Sequence, residues 1–339
     1  MILTIERVGK YTIKFKNMPN IEGFAAVCGK KEGQGPFAKY FDKIFEDSKL
    51  GEDSFEKGES RLQTEAVSLA IKKSKIKPED INIIFSGDLL NQCLSSTFGI
   101  KDFNIPFVGQ FGACSTMAQV LSMASIMVAS KAANRCVGVT SSHFCAAERQ
   151  YRFPLEYGCQ RFQTAQWTVT GSGAAVVATS GQGPFIQAVT FGKMVDLGVK
   201  DTTNMGAAMA PAAADTLKNF FEDTKTHPQD FDLILTGDLG VVGSKILKEL
   251  LLKEKIILGD RHNDCGLMVF HREEQDVHSG GSGCGCSGLI LCSYVFKSMR
   301  RKEMKNVLFM ATGALMSPTS SQQGESIPSI AHLLWFKSD

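Results

Sequence analysis

The sequence lacks a long apolar run. Nowhere do about 18 apolar residues follow one another, so no membrane-spanning helix is expected. The most apolar helical stretch, Met117–Ala129, is interrupted by Gln119, Ser122 and Ser125. The N-terminal residues MILTIER have no basic segment, hydrophobic core or small-residue cleavage site; they read as a strand, and cytoplasmic synthesis without a signal peptide is expected. Any membrane contact is then peripheral or made through a partner. An excess of one charge is also missing. With 37 Lys and Arg against 35 Asp and Glu, the chain has none of the basic surplus of a nucleic-acid binder, and no nucleic acid is expected as partner. Ten cysteines in 339 residues are too few for a disulfide scaffold. No C-x2-C pair recurs, and Cys284-Gly-Cys286 is too tight for a zinc knuckle, so no metal site is expected and most thiols read as small buried hydrophobes.

Glycine (32) and phenylalanine (23) are plentiful, and 43% hydrophobic with 21% charged residues is an ordinary globular mix that excludes a disordered chain. The length suggests about two domain-sized units. An internal duplication supports this. Asp80–Leu89 (DINIIFSGDL) is similar to Asp230–Leu239 (DFDLILTGDL), and Pro78 matches Pro228 at the same spacing. An amphipathic helix precedes each copy, Arg61–Lys75 and Ala212–Thr224. Ala26–Lys30 further resembles Val189–Lys193, and Cys136–Thr140 resembles Val307–Ala311. The last register sets Cys114 opposite Gly285, with extra residues in the polar stretch His271–Ser279, which reads as a hairpin. Each half, 1–182 and 183–339, then runs strand, helix, strand, strand, glycine-rich turn, helix, strand. The strands are short continuous apolar runs such as Ile81–Phe85, Ala174–Ala178 and Val307–Met310, the pattern of strands buried on both faces. Helices must then cover both faces, giving an α/β layered fold. Two such halves are expected to pack about a pseudo-twofold axis, bringing equivalent helix starts to one site.

Two glycine-rich turns feed helices: Phe111–Met117 (FGACSTM), after a strand at Pro106–Val108, and Gly280–Gly288 (GGSGCGCSG). A helix start presents free N–H groups and favours an anion or a thiolate. Cys114 and Ser115 lie at the first such start, and Ser282 and Gly283 at the second. Cys114 reads equally as a nucleophile or as a packed small residue. Between the repeats, residues 140–152 (TSSHFCAAERQYR) read as a loop combining His143, Arg149, Tyr151 and Arg152. Such a set suits carboxylate binding, with Arg161 and Trp167 close behind; the alternative is a surface loop paired to Glu148 and Glu156. His262 and His332 are further candidates, His332 reading as structural.

These segments resemble the thiolase and ketoacyl-synthase superfamily, and within it more closely the stage V sporulation protein AD family of endospore-forming bacteria. The segments that carry the resemblance are Ser86–Gln92 (SGDLLNQ), Phe111–Thr116 (FGACST), Thr140–His143 (TSSH), Ala147–Gln150 (AERQ), Thr168–Ala174 (TVTGSGA) and Met205–Asp215 (MGAAMAPAAAD). They continue through Leu233–Leu239 (LILTGDL), Asp264–Leu267 (DCGL), Gly280–Cys284 (GGSGC) and Ala311–Leu315 (ATGAL), so that they cover nearly the whole chain, about residues 20 to 336. The resemblance implies a thiolase-like five-layered αβαβα fold made of two similar halves. It implies a role in sporulation, binding dipicolinic acid (pyridine-2,6-dicarboxylate), free or as its calcium chelate, for uptake into the forespore. It also implies membrane-embedded stage V partner proteins, a peripheral place at the forespore or spore inner membrane, and a homodimer joined near Val108–Phe111.

Cys114 fits the superfamily's nucleophile position. The His or Asn of the second half is replaced at Thr236-Gly237-Asp238, the Gly-His-Pro-Leu-Gly loop at Gly281–Gly285, and the second Cys turn at Thr312-Gly313-Ala314. Thiolase chemistry needs a base and oxyanion donors. Their replacement makes Cys114 a vestigial nucleophile, and no catalytic residue and no cofactor are expected. The expected ligand site comprises Cys114, Ser115, His143, Arg149, Arg152, Trp167, Ser282 and Gly283, with backbone N–H groups holding one carboxylate, an Arg or His the other, and Phe111 or Trp167 flanking the ring. The alternatives are an acyltransferase using Cys114 and a structural scaffold for a membrane transport complex.

Overall fold

The computed structural model describes residues 4–151 and 161–338. A small hairpin, β1 (Ile5–Val8) and β2 (Thr12–Phe15), opens the chain. Then come β3 (Asn20–Gly29), β4 (Lys43–Phe45), α1 (Phe55–Ser74), β5 (Ile83–Gly87), α2 (Leu94–Ile100), β6 (Phe107–Gly109), α3 (Thr116–Ala129), β7 (Arg135–Ser142), α4 (Phe144–Tyr151), β8 (Trp167–Thr168) and β9 (Gly171–Ala178). The chain continues with β10 (Phe185–Phe191), α5 (Met205–Thr224), β11 (Leu233–Thr236), α6 (Gly240–Lys253), β12 (His262–Asp264), α7 (Cys265–Met268) and β13 (Gly281–Ser282). It ends with α8 (Cys284–Ile290), α9 (Phe296–Arg300), β14 (Asn306–Ala314), α10 (Pro318–Gln322) and β15 (Ser329–Lys337).

The main sheet runs β12-β11-β14-β15-β10-β3-β9-β7-β5-β6. Read outward from its middle, the two sides match. On one side β3 is antiparallel to β9, β9 to β7, and β7-β5-β6 are parallel. On the other, β10 is antiparallel to β15, β15 to β14, and β14-β11-β12 are parallel. The duplication extends to single residues. Lys75 and Lys225 end α1 and α5 in the left-handed region, at φ 58° and 57°. Asp80 and Asp230 then accept the backbone N–H of Lys77 and His227 across matching Pro-led turns.

The helices form the remaining layers. Helix α1 lies on β3, β9 and β7, and α5 on β15, β14 and β10. Between the two sides of the sheet sit α3 and α8, each touching β9 and α3 also reaching β14 and β15. A helix with protein on all sides must be apolar all round. Helix α3 approaches this, and every residue of α8 is buried before it runs through a π turn (Leu291–Val295) into α9. The order is α-β-α-β-α. Two local expectations fail. Residues 144–151 form α4 where a loop was expected, and His271–Ser279 is a run of turns with no hairpin strands.

Candidate functional site

The β6–α3 turn delivers Cys114. Ala113, just before it, takes φ 50°, a left-handed conformation unusual for a residue with a Cβ. The second turn has Gly283 at φ 103°, where a Cβ would lie 2.6 Å from Ser142 Oγ, so glycine is required there. A short parallel ladder, β13 on β8, joins this turn to the segment entering β9 and sets Ser282 beside Thr168. The two helix starts meet: Cys114 and Cys284 share one buried apolar cluster with Leu89 and Ala147, and Tyr151 packs against it.

Asp238, in the turn just past β11, organises the centre. It is fully buried. One carboxylate oxygen accepts the Gly283 N–H at 3.0 Å and the other the Thr312 hydroxyl at 2.8 Å, while the Cys114 thiol also donates to the group. Burial pushes the Asp238 carboxyl up to about 6, against the pull of these three donors. Burial first, and then the Asp238 charge, push the Cys114 thiol well above its usual value. Cys284 donates its thiol to the Ser141 carbonyl at 2.9 Å and is likewise pushed up by burial, then by surrounding carboxylates. Neither thiol is poised as a thiolate. Asp264 accepts the N–H groups of Leu239 and Gly240 at the start of α6 and so leaves Asp238 free to face the cysteine.

Cys114 forms the floor of a cavity of about 650 Å³, its open mouth included. Its walls are Leu89, Ala113, Ala147, Glu148, Tyr151, Gln166, Thr168, Thr202, Thr203, Met205, Ser282, Ala314 and Met316. Among the described residues lining it none is Lys, Arg or His. No group of three or more His, Cys, Asp or Glu suited to a metal occurs among the described residues.

Of the expected ligand residues, Cys114 and Ser282 line the cavity. Gly283 stands at its edge with its N–H already bonded to Asp238. Ser115 instead closes its own turn, its hydroxyl and N–H both donating to the Gly112 carbonyl. His143 is buried away from the cavity wall. Its Nε2 lies 2.8 Å from the Ser48 carbonyl and its Nδ1 accepts the Cys145 N–H at the start of α4; burial lowers its pKa, so the ring is neutral. Arg149 is not on the wall either: its guanidinium pairs with Glu56 at 2.6 Å on the surface. Trp167 turns away between Gln166 and Thr168, which face the cavity, as the alternation along a strand requires. Its ring stacks on Phe144 at 3.8 Å, with Lys31 4.0 Å from its centroid. Phe111 is half exposed. Arg152 lies outside the described residues.

Gln166, Thr202, Thr203 and Met205 belong to the wall but were not read from the sequence. Gln166 Nε2 donates to the carbonyls of Asp238 and Gly281, tying the turn after β11 to the Gly280–Gly288 turn. Only the position of Gln166 just ahead of Trp167 hinted at it, since a lone polar residue beside a strand carries no periodic signal.

A fold of two matching α/β halves, with a cysteine at the start of a central helix, defines the thiolase-like class of fold, and solved structures share it. The 3-oxoacyl-[acyl-carrier-protein] synthase III of Aquifex aeolicus VF5 superposes with a TM-score of 0.55 at 12% identity, over 94% of this chain and 99% of that one. A variant of OleA from Xanthomonas campestris gives 0.59 at 12% identity, over 97% and 100%. Within that class the chain belongs to the Stage V sporulation protein AD family, whose model matches residues 9–337. The Stage V sporulation protein AD of Bacillus subtilis (strain 168) is 43% identical over 329 residues, 97% of each chain.

Proposed function

We propose that this protein acts in sporulation as a binder of pyridine-2,6-dicarboxylate, held in the Cys114 cavity with no covalent bond made or broken, for delivery into the forespore through membrane-embedded partners. The observation that carries this reading is Asp238 beside Cys114. Acyl transfer through a thioester needs a thiolate and N–H donors aimed at the developing oxyanion. Here the thiol donates to a carboxylate, and the Gly283 N–H is bonded to the same carboxylate. The residues that would run the chemistry instead satisfy one another and leave a formed cavity above them.

The described lining is made of hydroxyls, an amide, the Cys114 thiol, the Glu148 carboxyl and apolar groups. A free dianion would be costly to desolvate there, because burying charge without a countercharge is strongly unfavourable. The calcium chelate, whose metal cancels the two carboxylates and takes oxygen ligands, fits such a wall better, and we take it as the bound form. No helix among the described residues is long and apolar enough to cross a membrane. Transport then requires a partner, in keeping with a peripheral place at the forespore inner membrane.

Calorimetric titration with pyridine-2,6-dicarboxylate, with and without calcium, tests the reading. Binding is expected to be tighter with calcium and absent for pyridine-3,5-dicarboxylate, whose carboxylates cannot converge on one metal. Equal binding of both isomers, or stable acylation and turnover at Cys114 on exposure to acyl-CoA, overturns it.

A further inference from the structure

The Cys114 cavity has a neighbour on its Tyr151 side. A second cavity of about 750 Å³, mouth included, adjoins it, lined by Gln150, Pro318, Ser321 and Gln322 and sharing Tyr151, Thr202 and Met316 with the first. The outer chamber has a mixed polar and apolar lining, whereas the inner one is largely apolar. Tyr151 stands in the wall common to both.

Tyr151 is held there. Its hydroxyl donates to the Leu89 carbonyl at 2.6 Å, and Gln150 Nε2 donates to the same carbonyl at 3.2 Å. Gln150 Oε1 accepts the Asn91 N–H at 2.9 Å, so the end of α4 is stitched to the 89–91 turn at three points. That turn is itself fixed from beneath, because buried Asp88 accepts the Leu90 N–H at 2.9 Å and the Ser96 N–H at 2.7 Å. The ring packs on the cluster containing Cys114 and Cys284. Burial and the nearby Cys114 keep the phenol protonated, which preserves its role as donor. A side chain with its ring packed and its hydroxyl bonded has little rotamer freedom.

We propose that Tyr151 is the specificity-determining partition between the two chambers, a size filter that admits compact planar ligands to Cys114 and excludes bulky ones. Its biological meaning rests on the proposed binding of a monocyclic aromatic acid in the inner chamber, but its test does not. The Cys114 thiol serves as a reporter. The whole protein is exposed to iodoacetamide and, separately, to a fluorescein maleimide, and modification is read at the peptide bearing Cys114. In Tyr151→Ala, the bulky reagent is expected to gain at least about tenfold in rate at Cys114, while iodoacetamide changes by less than about threefold. Tyr151→Phe keeps the ring and is expected to retain the discrimination of the parent. An unchanged ratio in folded Tyr151→Ala overturns the proposal. So does an equal rise for both reagents, which would mean that α4 had come loose, or a Tyr151→Phe protein as open as the alanine variant. Failure of the titration with pyridine-2,6-dicarboxylate would leave the labelling ratio untouched, so the two readings fail separately.

Discussion

Asp88 and Asp238 occupy the same place in the two copies of the repeat and have taken opposite tasks. Asp88 turns into its own half, accepting from Leu90 and from the N–H and hydroxyl of Ser96, and so builds the turn beneath Tyr151. In the second half Asp264 caps the corresponding helix, and Asp238 is free to meet Cys114. The shared Gly-Asp-Leu is plain in the sequence, but Asp88 is turned by its near neighbours Leu90 and Ser96, whereas Asp238 is freed by Asp264, well further along the chain. Removing the Asp238 charge should ease ionisation of the thiol. In Asp238→Asn, Cys114 alkylation by iodoacetamide at fixed pH should rise by about tenfold, with the pH–rate profile displaced to lower pH. A profile that stays in place would show that burial alone holds the thiol protonated. Arg149 teaches the converse. Its neighbourhood in sequence suggested a carboxylate ligand, yet long side chains on a short helix reach outward, and Glu56 claims this one. Arg149→Ala should leave ligand affinity unchanged in calorimetry and cost no more than about 1 kcal/mol of stability, as befits an exposed ion pair.

At the scale of elements, the strands and long helices were legible because continuous apolar runs and amphipathic stripes are set by burial itself. Helix α4 was not. Its start is capped by His143, whose Nδ1 accepts the Cys145 N–H, and histidine is not among the usual capping residues. At eight residues the helix is also too short for periodicity to announce it. The convergence of the two turns depends on a close approach that the sequence shows only as glycine. In β9, a Cβ on Gly173 would lie 2.1 Å from the Gly288 carbonyl of α8, so helix backbone rests directly on strand backbone. Gly173→Ala must push α8 away and with it Cys284 and Gly283. It should destabilise the protein by about 3 kcal/mol in urea unfolding, with unchanged m-value. Tolerance of alanine there would mean that α8 can shift without loss and that the site is not built on that contact.

At the scale of the whole molecule, burial of acids ties stability to pH. Glu32 is buried and accepts the Thr170 N–H at 2.9 Å; desolvation pushes its carboxyl up to about 7 from 4.5. Because the folded state favours the protonated acid, its contribution is complete at low pH and is lost as pH rises from about 4.5 to about 7. Thermal melts of Glu32→Gln should therefore gain on the parent by up to about 3 kcal/mol across that interval and run parallel to it above. A constant gap across the range would remove Glu32 as a titrating group.

The two ends of the sheet, equivalent by topology, differ in a way that bears on assembly. At one end β12 buries His262 and exposes Asn263. At the other, every residue of β6 is exposed, and Phe107, Val108 and Phe111 form an apolar margin with Leu94 and Phe98 of the adjoining α2 region. A bare apolar edge strand is a liability unless something covers it, since its unpaired backbone groups invite another strand. A second copy of this chain, pairing β6 with its own counterpart, would cover the apolar margin and the open N–H and C=O groups together. It would also steady the Phe111–Cys114 turn on which the cavity floor depends. We therefore expect a dimer in sedimentation at micromolar concentration. Val108→Lys should place a charge at the centre of the pairing and yield a folded monomer. A monomeric parent protein, or a Val108→Lys variant that still dimerises, would show that this edge is covered by some other partner.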